Sequence, residues 1–180
     1  MPKQVDYDSR RRQIAEAVCL LADEHGPEGV SMRDVAARAQ VSLGAVQRCF
    51  RTKEEMLLFA VEHVGERVRA RLSADVSLEQ AVGEIALLRD EHRTEARIWL
   101  AFVAQAAVRE PLARPLRTSY AALHDLLVRL AAGSGLADPV GAARALLALA
   151  DGLTTHVVIG HLTAQRAAEV LRTHVAGLGK

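Results

Sequence analysis

The sequence predicts an all-α protein: an N-terminal three-helix helix-turn-helix unit followed by an antiparallel helical bundle, about nine helices in total. Three observations carry this expectation. Apolar residues return every three or four positions, with no alternating β-branched run. Ala, Leu, Arg and Glu, which lose little entropy in a helix, dominate the composition. Each periodic stretch is preceded by Ser, Thr or Asp, or followed by Gly or Pro, the residues that start and stop helices.

The first helix is expected after Ser9, with Arg10, Arg11 and Arg12 at its beginning. Its apolar face is Ile14, Ala17, Val18, Leu21 and Ala22, and His25-Gly26-Pro27 stops it. Three short helices follow, each with a capping signature. Ser31 precedes Asp34 by three residues, with Val30 and Val35 as a hydrophobic staple. Ser42 repeats the device with Val41 and Val46, and Thr52 with Glu55 forms a full capping box. Only Ala39 to Ser42 separate the second helix from the third, which forces a sharp crossing. The later helices are longer. Met56, Phe59, Ala60, Val64 and Val68 mark the fourth, to about Leu72. Ser77 to Gln80 opens the fifth, with Leu78, Ala81, Val82, Ile85 and Leu88 inward. The sixth runs from Thr94 to Glu110-Pro111, and the seventh from about Leu112 to Ala132. Asp138-Pro139 starts the eighth, which ends at Gly160, and Thr163 opens the ninth, which fades at Gly177.

Composition narrows the function. The chain has 180 residues, 50% of them hydrophobic, yet no apolar run reaches the ~18 residues a membrane span needs. No secretory leader precedes the first helix, so a cytoplasmic location with no membrane partner is expected. Cys19 and Cys49 lack metal-ligand or disulfide spacing and are expected to be reduced, inert thiols. His156 and His161 are five apart, which would put them on different faces; no metal and no cofactor are expected. A net charge of +1 excludes nucleic-acid binding by bulk charge, so any such contact must come from local placement.

Local placement is what the third helix offers. In a helix-turn-helix, the first residues of the second helix face base edges in the major groove and must be small or polar. Ser42, Leu43, Gly44 and Ala45 meet that demand. Gly44 costs about 1 kcal/mol relative to Ala inside a helix, which makes sense where something large must come close. Gln47 and Arg48 follow one turn later, able to pair with adenine and guanine or to hold phosphates. Lys53, at the positive end of the fourth helix, suits a phosphate. Ser31, Arg33, Arg10 and Arg11 complete the expected DNA-binding set, the two N-terminal arginines as solvated charges or as an arm along the backbone. Phe50 is expected to be a core plug.

From Arg12 to Leu57, the residues Ile14, Ala17, Gly26, Val30-Ser31, Val35-Ala36, Ala39, Val41-Ser42, Gly44, Phe50, Lys53-Glu54 and Leu57 resemble the DNA-binding domain of the TetR family of bacterial transcriptional repressors. The body is similar to that family's ligand-binding and dimerisation domain. Its stretch LALADGLTTHVVI, Leu147 to Ile159, resembles the choline/betaine-regulator subgroup. The resemblance implies a DNA-binding domain over residues 1–52 and a helical effector and dimerisation domain over 53–180. Three positions depart from the family pattern. Gln40 replaces the usual Gly and is expected either to adopt a left-handed conformation at a cost of order 1 kcal/mol or to shift the turn. Gln47 replaces the usual Tyr, and Cys49 an aromatic residue or His. These changes predict an altered sequence preference.

By the same resemblance, an inducer would sit among inward-facing residues of the sixth to eighth helices: Trp99, Phe102, Val103, Tyr120, Leu123, His124, Leu127, Leu153 and His156. The last two long helices are apolar around much of their circumference. Ala143, Leu146, Leu147, Ala150, Val157, Ala167, Val170, Leu171 and Val175 are therefore expected in a four-helix homodimer interface. The expected function is a dimeric repressor, released from a palindromic operator on double-stranded DNA by a small-molecule effector. The competing readings are a helical dimerisation module without DNA binding and an all-helical enzyme. The enzyme lacks any phosphate loop, nucleophile triad or metal motif in the sequence.

Overall fold

The structure, a computed structural model, describes residues 2–72 and 75–179, with side chains from residue 6 onward. It is helical throughout, with no strand among the described residues. In order the helices are α1 (Pro2–Gly29), α2 (Met32–Arg38), α3 (Leu43–Cys49), α4 (Lys53–Arg71), α5 (Leu78–Ile85), α6 (Arg93–Ala106), α7 (Glu110–Gly133), α8 (Pro139–Val158) and α9 (Ala164–Gly177). No helix is long and apolar enough to cross a membrane among the described residues.

Two compact units emerge. One comprises the chain up to Glu66 together with Arg97–Leu116; the other comprises Arg67–Ala96 and the chain from Arg117 onward. In the first unit, α1, α2 and α3 pack on one another. Ile14, Val18, Val35, Val46, Phe50 and Met56 are buried there, Phe50 as the expected plug. α1 starts at Pro2 rather than after Ser9, because Pro suits the first helical position and Asp6 pairs with Arg10 one turn on, at 3.7 Å. The three arginines therefore lie within a helix, not at its start. α1 breaks at Gly26, whose φ of 72° and ψ of 160° lie in a region open to glycine alone.

α2 is capped by the Ser31 hydroxyl, which accepts from the Asp34 N–H at 3.2 Å and donates to the Asp34 carboxylate at 2.5 Å. The carboxylate of Asp is too short to close a box on the backbone and takes the hydroxyl instead. Ser42 caps α3 through the Ala45 N–H. Thr52 caps α4 through the Glu55 N–H, but Glu55 reaches back to the N–H of Arg51 at 2.8 Å, one residue beyond the expected partner.

The second unit is built on α5, α8 and α9, each packed on the other two. Its core includes Leu78, Ala81, Val82, Leu127, Ala143, Leu146, Ala150, Leu153, Ala167 and Leu171. Ser77 and Gln80 make the reciprocal capping box, Asp138 with Pro139 starts α8, and Thr163 caps α9. α5 ends at Ile85, a turn earlier than its apolar face suggested. Leu87 adopts a positive φ of 50°, and a 3-10 turn, Asp90–His92, leads into α6. The Thr154 hydroxyl donates to the Ala86 carbonyl at 2.7 Å and so pins that end of α5 to α8. Likewise α6 ends at Ala106, and α7 begins at Glu110 with Pro111 in its first turn, where a missing N–H is harmless.

A cluster of opposite charges closes this unit around the last turn of α4. Arg71 binds Glu84 at 3.0 Å and Glu95 at 2.8 Å; Arg67 reaches Glu95 at 2.8 Å, and Arg89 reaches Glu84 at 2.6 Å. Both glutamates are buried. The sequence signal was a Glu within each of two apolar helices, a charge that needs a basic partner once buried.

Candidate nucleic-acid interface

The turn between α2 and α3 shows how the sequence positions the reading helix. Val41 N–H donates to the Ala36 carbonyl at 2.9 Å and Gln40 N–H to the Ala37 carbonyl at 3.1 Å. These are the two bonds of a Schellman motif, which requires its C′ residue to be left-handed. That residue is Gln40, with φ 54°. Gln13 on α1 donates its amide to the Ala39 carbonyl at 2.8 Å, fixing the turn from below. The Arg38 guanidinium grips Glu24 of α1 through two bonds, 2.9 and 2.7 Å, and holds that carboxyl below its ordinary range.

Along α3 the buried side belongs to Ala45, Val46 and Cys49, and the exposed side to Ser42, Gln47 and Arg48. Leu43 and Gly44 are half-buried. Ala45 is only 4% exposed and faces the unit's interior, which corrects its place in the groove-facing set: with Ser42 capping, the third position turns inward. A methyl group on Gly44 would meet only the Arg48 Nη1, at an ordinary 3.6 Å. Nothing inside the unit therefore requires glycine there, and the small residue leaves room for a body outside. Arg33 is exposed on α2. Lys53 donates to the Glu28 carbonyl at 2.6 Å, which orients its ammonium while leaving two further N–H donors. Burial pushes the Cys49 thiol up, against the pull of Arg10, Arg11 and Arg48, consistent with an inert thiol.

Arg11 departs from expectation. Its guanidinium carbon stands 4.2 Å from the Phe59 ring centroid, 4.9 Å from Phe50 and 5.9 Å from Tyr7. It is not the solvated charge or free arm that the sequence suggested.

The remaining site residues separate as follows. Trp99 and Phe102 are buried, and Val103 half-buried, in the first unit. In the second unit Leu123, Leu127 and Leu153 are buried, and the Tyr120 hydroxyl donates to Asp151 at 2.8 Å. His124 has a buried Nε2 with no hydrogen-bond partner. His156 is exposed and is corrected out of the inward set. Its ring lies 4.9 Å from that of His161, because α8 ends at Val158 and Gly160, with φ 76°, turns the chain back, which corrects the expectation that the two face different ways. Of the expected dimer residues, Ala143, Leu146, Ala150, Ala167 and Leu171 are core residues of their own unit, packed around α5. A helix apolar all round has one side used internally. Leu147, Val157, Val170 and Val175 are the members left at least partly exposed.

Comparison with known proteins agrees with this geometry. Residues 14–60 match the family described as bacterial regulatory proteins, tetR family, and residues 74–180 match the C-terminal domain of BetI-type transcriptional repressors. The HTH-type transcriptional regulator PksA of Bacillus subtilis (strain 168) is 32% identical over 193 residues, covering 99% of this chain and 94% of that protein. The regulator BetI of Burkholderia mallei (strain NCTC 10229) is 31% identical over 163 residues, covering 85% and 84%. A crystal structure of a transcriptional regulator from Rhodococcus sp. Rha1 superposes with a TM-score of 0.82 at 28% identity, covering 93% of this chain and 95% of that one. A capped recognition helix on a helix-turn-helix unit, joined to a BetI-type body, makes this chain a member of the TetR family, a DNA-binding transcriptional regulator rather than an enzyme.

Proposed function

We propose that the protein is a cytoplasmic, dimeric repressor that leaves a palindromic operator when a small molecule binds its helical body, with DNA contact over residues 1–52 and effector and dimer functions over 53–180. The observation that carries the DNA reading is the outer side of α3: Ser42, Gln47 and Arg48 exposed around a Gly44 that internal packing does not need. Ser31, Arg33 and Lys53 flank it as phosphate contacts, and Arg10 adds charge on α1. The departure at Gln47 favours adenine through a bidentate amide contact, with Arg48 on guanine or phosphate.

For the effector, the second unit offers an apolar lining, Leu123, Leu127 and Leu153, with three polar anchors: Tyr120, Asp151 and the unpartnered Nε2 of His124. An unpaired buried nitrogen is costly until something bonds to it, and a ligand can supply that bond. For the dimer, α8 and α9 present the exposed Ile159 and Val170, with Leu147, Val157 and Val175 partly exposed at the edge of the core. A two-fold axis through that face would pair two recognition helices for a palindrome.

Selection of duplexes from a random pool, followed by anisotropy titration, tests the proposal. The expected outcome is a palindromic consensus with nanomolar, salt-sensitive affinity. Arg48→Ala should cost about 1–3 kcal/mol and relax preference at one position per half-site. A non-palindromic consensus, or an Arg48→Ala chain with unchanged affinity and specificity, would remove it. Val170→Glu should convert the dimer to a monomer in sedimentation; persistence of the dimer would reject the α8 and α9 face.

A further inference from the structure

Arg11 is one of several cations on the DNA-binding unit, but its surroundings differ from those of the others. Arg10 pairs with Asp6 and Arg12 is exposed, whereas the Arg11 guanidinium is surrounded by three aromatic rings. Phe50 and Phe59 also contact each other, with centroids 5.4 Å apart and planes tilted by 49°. The Arg11 Nε is buried without a hydrogen-bond partner, so part of this cation is withdrawn from water in favour of ring faces.

The three rings come from three different places. Tyr7 lies one turn earlier on α1, Phe59 lies on α4, and Phe50 is the residue at which α3 ends. Phe50 donates its N–H to the Val46 carbonyl at 2.9 Å and is extended at φ −142°, so its ring anchors the last turn of the recognition helix. Gln47 and Arg48 belong to that same turn. A cation held between Phe50 and Phe59 thus fixes how far α3 stands from α1 and α4. Lysine would substitute poorly, because its compact ammonium can sit over one ring but lacks the planar face that stacks on two at once.

We infer that Arg11 is a positioning residue for operator recognition: stacked on Phe50 and Phe59, it sets the placement of α3 and thereby specificity, without itself contacting a phosphate. Two consequences separate this role from a phosphate contact and from simple stability. Losing a phosphate contact lowers the slope of log affinity against log salt by about one and weakens all sequences alike. Misplacing α3 weakens only the specific complex, because non-specific binding does not depend on base-edge geometry.

The test uses the full chain as wild type, Arg11→Lys, Arg11→Met and Phe59→Leu, titrated by anisotropy against the duplex wild type selects and a scrambled duplex over a salt series. Active fractions come from stoichiometric titration. Wild-type binding to its selected duplex checks the regulator assignment independently of Arg11. Both Arg11 variants should bind the selected duplex about 5–30-fold more weakly, the size of one or two desolvated cation–π contacts. Scrambled-duplex affinity and the salt slope should not move. Phe59→Leu should do the same, and Arg11→Met should add little on top of it. A slope reduced by about one and restored by Arg11→Lys would make Arg11 a phosphate contact and overturn the proposal. Equal weakening on both duplexes, a reduced active fraction that accounts for the loss, or no change would overturn it as well.

Discussion

Gln40→Gly is expected to stabilise the DNA-binding unit, and the structure sets the size of the effect. Gln40 holds φ 54° because both Schellman bonds at the end of α2 need a left-handed residue there. Its side chain is exposed and forms no hydrogen bond in the structure, so removing it loses little packing. A left-handed non-glycine residue carries about 1–2 kcal/mol of steric strain. Glycine releases that strain but adds backbone freedom to the unfolded chain, which offsets up to about 1 kcal/mol. The net expectation is roughly 0.5–1 kcal/mol of added stability from these opposing effects. Gln40→Ala removes the same side chain but keeps the strain, so it should lie within about 0.5 kcal/mol of wild type. Urea unfolding followed by circular dichroism, with hydrogen exchange at the α2 and α3 amides, measures both variants. If Gln40→Gly were no more stable than Gln40→Ala, the strain argument would be wrong and the turn would be relaxed around Gln40.

Three further expectations rest on other parts of the molecule. Arg71→Met leaves Glu84 and Glu95 buried with only Arg89 and Arg67 beside them, and should cost about 3 kcal/mol, the low end for breaking a buried ion pair; an unchanged urea midpoint would show the cluster to be dispensable. His92 is buried with an unpartnered Nδ1, and its pKa is lowered by burial first and then by Arg71, against the pull of Glu84, Glu95 and Glu91. The unfolded chain therefore binds this proton more readily than the folded one, so the stability His92 confers is full above its ordinary value near 6.5 and lost as pH falls below it. His92→Gln should flatten the fall in unfolding free energy between pH 7.5 and 5.5, and an identical pH profile would contradict this. The Cys49 thiol, raised by burial, should react with a disulfide reagent at pH 8 far more slowly in the folded chain than in urea; equal rates would show the site to be open.

Much of the fold was legible because its signals are local. Capping at Ser31, Ser42, Thr52, Ser77, Asp138 and Thr163 depends on residues three apart, and helical periodicity on residues three or four apart, so the chain announces both without tertiary knowledge. At Gln40 the resemblance left two outcomes open, a left-handed residue or a shifted turn, and the two Schellman bonds show the first. Helix ends were less so: the early end of α5 at Ile85 and the left-handed Leu87 follow from Thr154, which bonds the Ala86 carbonyl from 68 residues away.

What the sequence by itself determined is therefore the class, the capped reading helix and the family to which they belong. Which side of each helix does what was left to the tertiary structure. Ala45 reads as groove-facing until α3 is seated on its unit, and Ala143, Leu146, Ala150, Ala167 and Leu171 read as interface until α5 claims them for the core. Arg11 reads as a solvated charge or an arm along the DNA backbone until Phe50 and Phe59 close around it from residues 39 and 48 positions along the chain. The physical reason is common to all three: composition says how apolar or charged a face is, but the partner that desolvates it comes from elsewhere in the chain, and only folding brings it there.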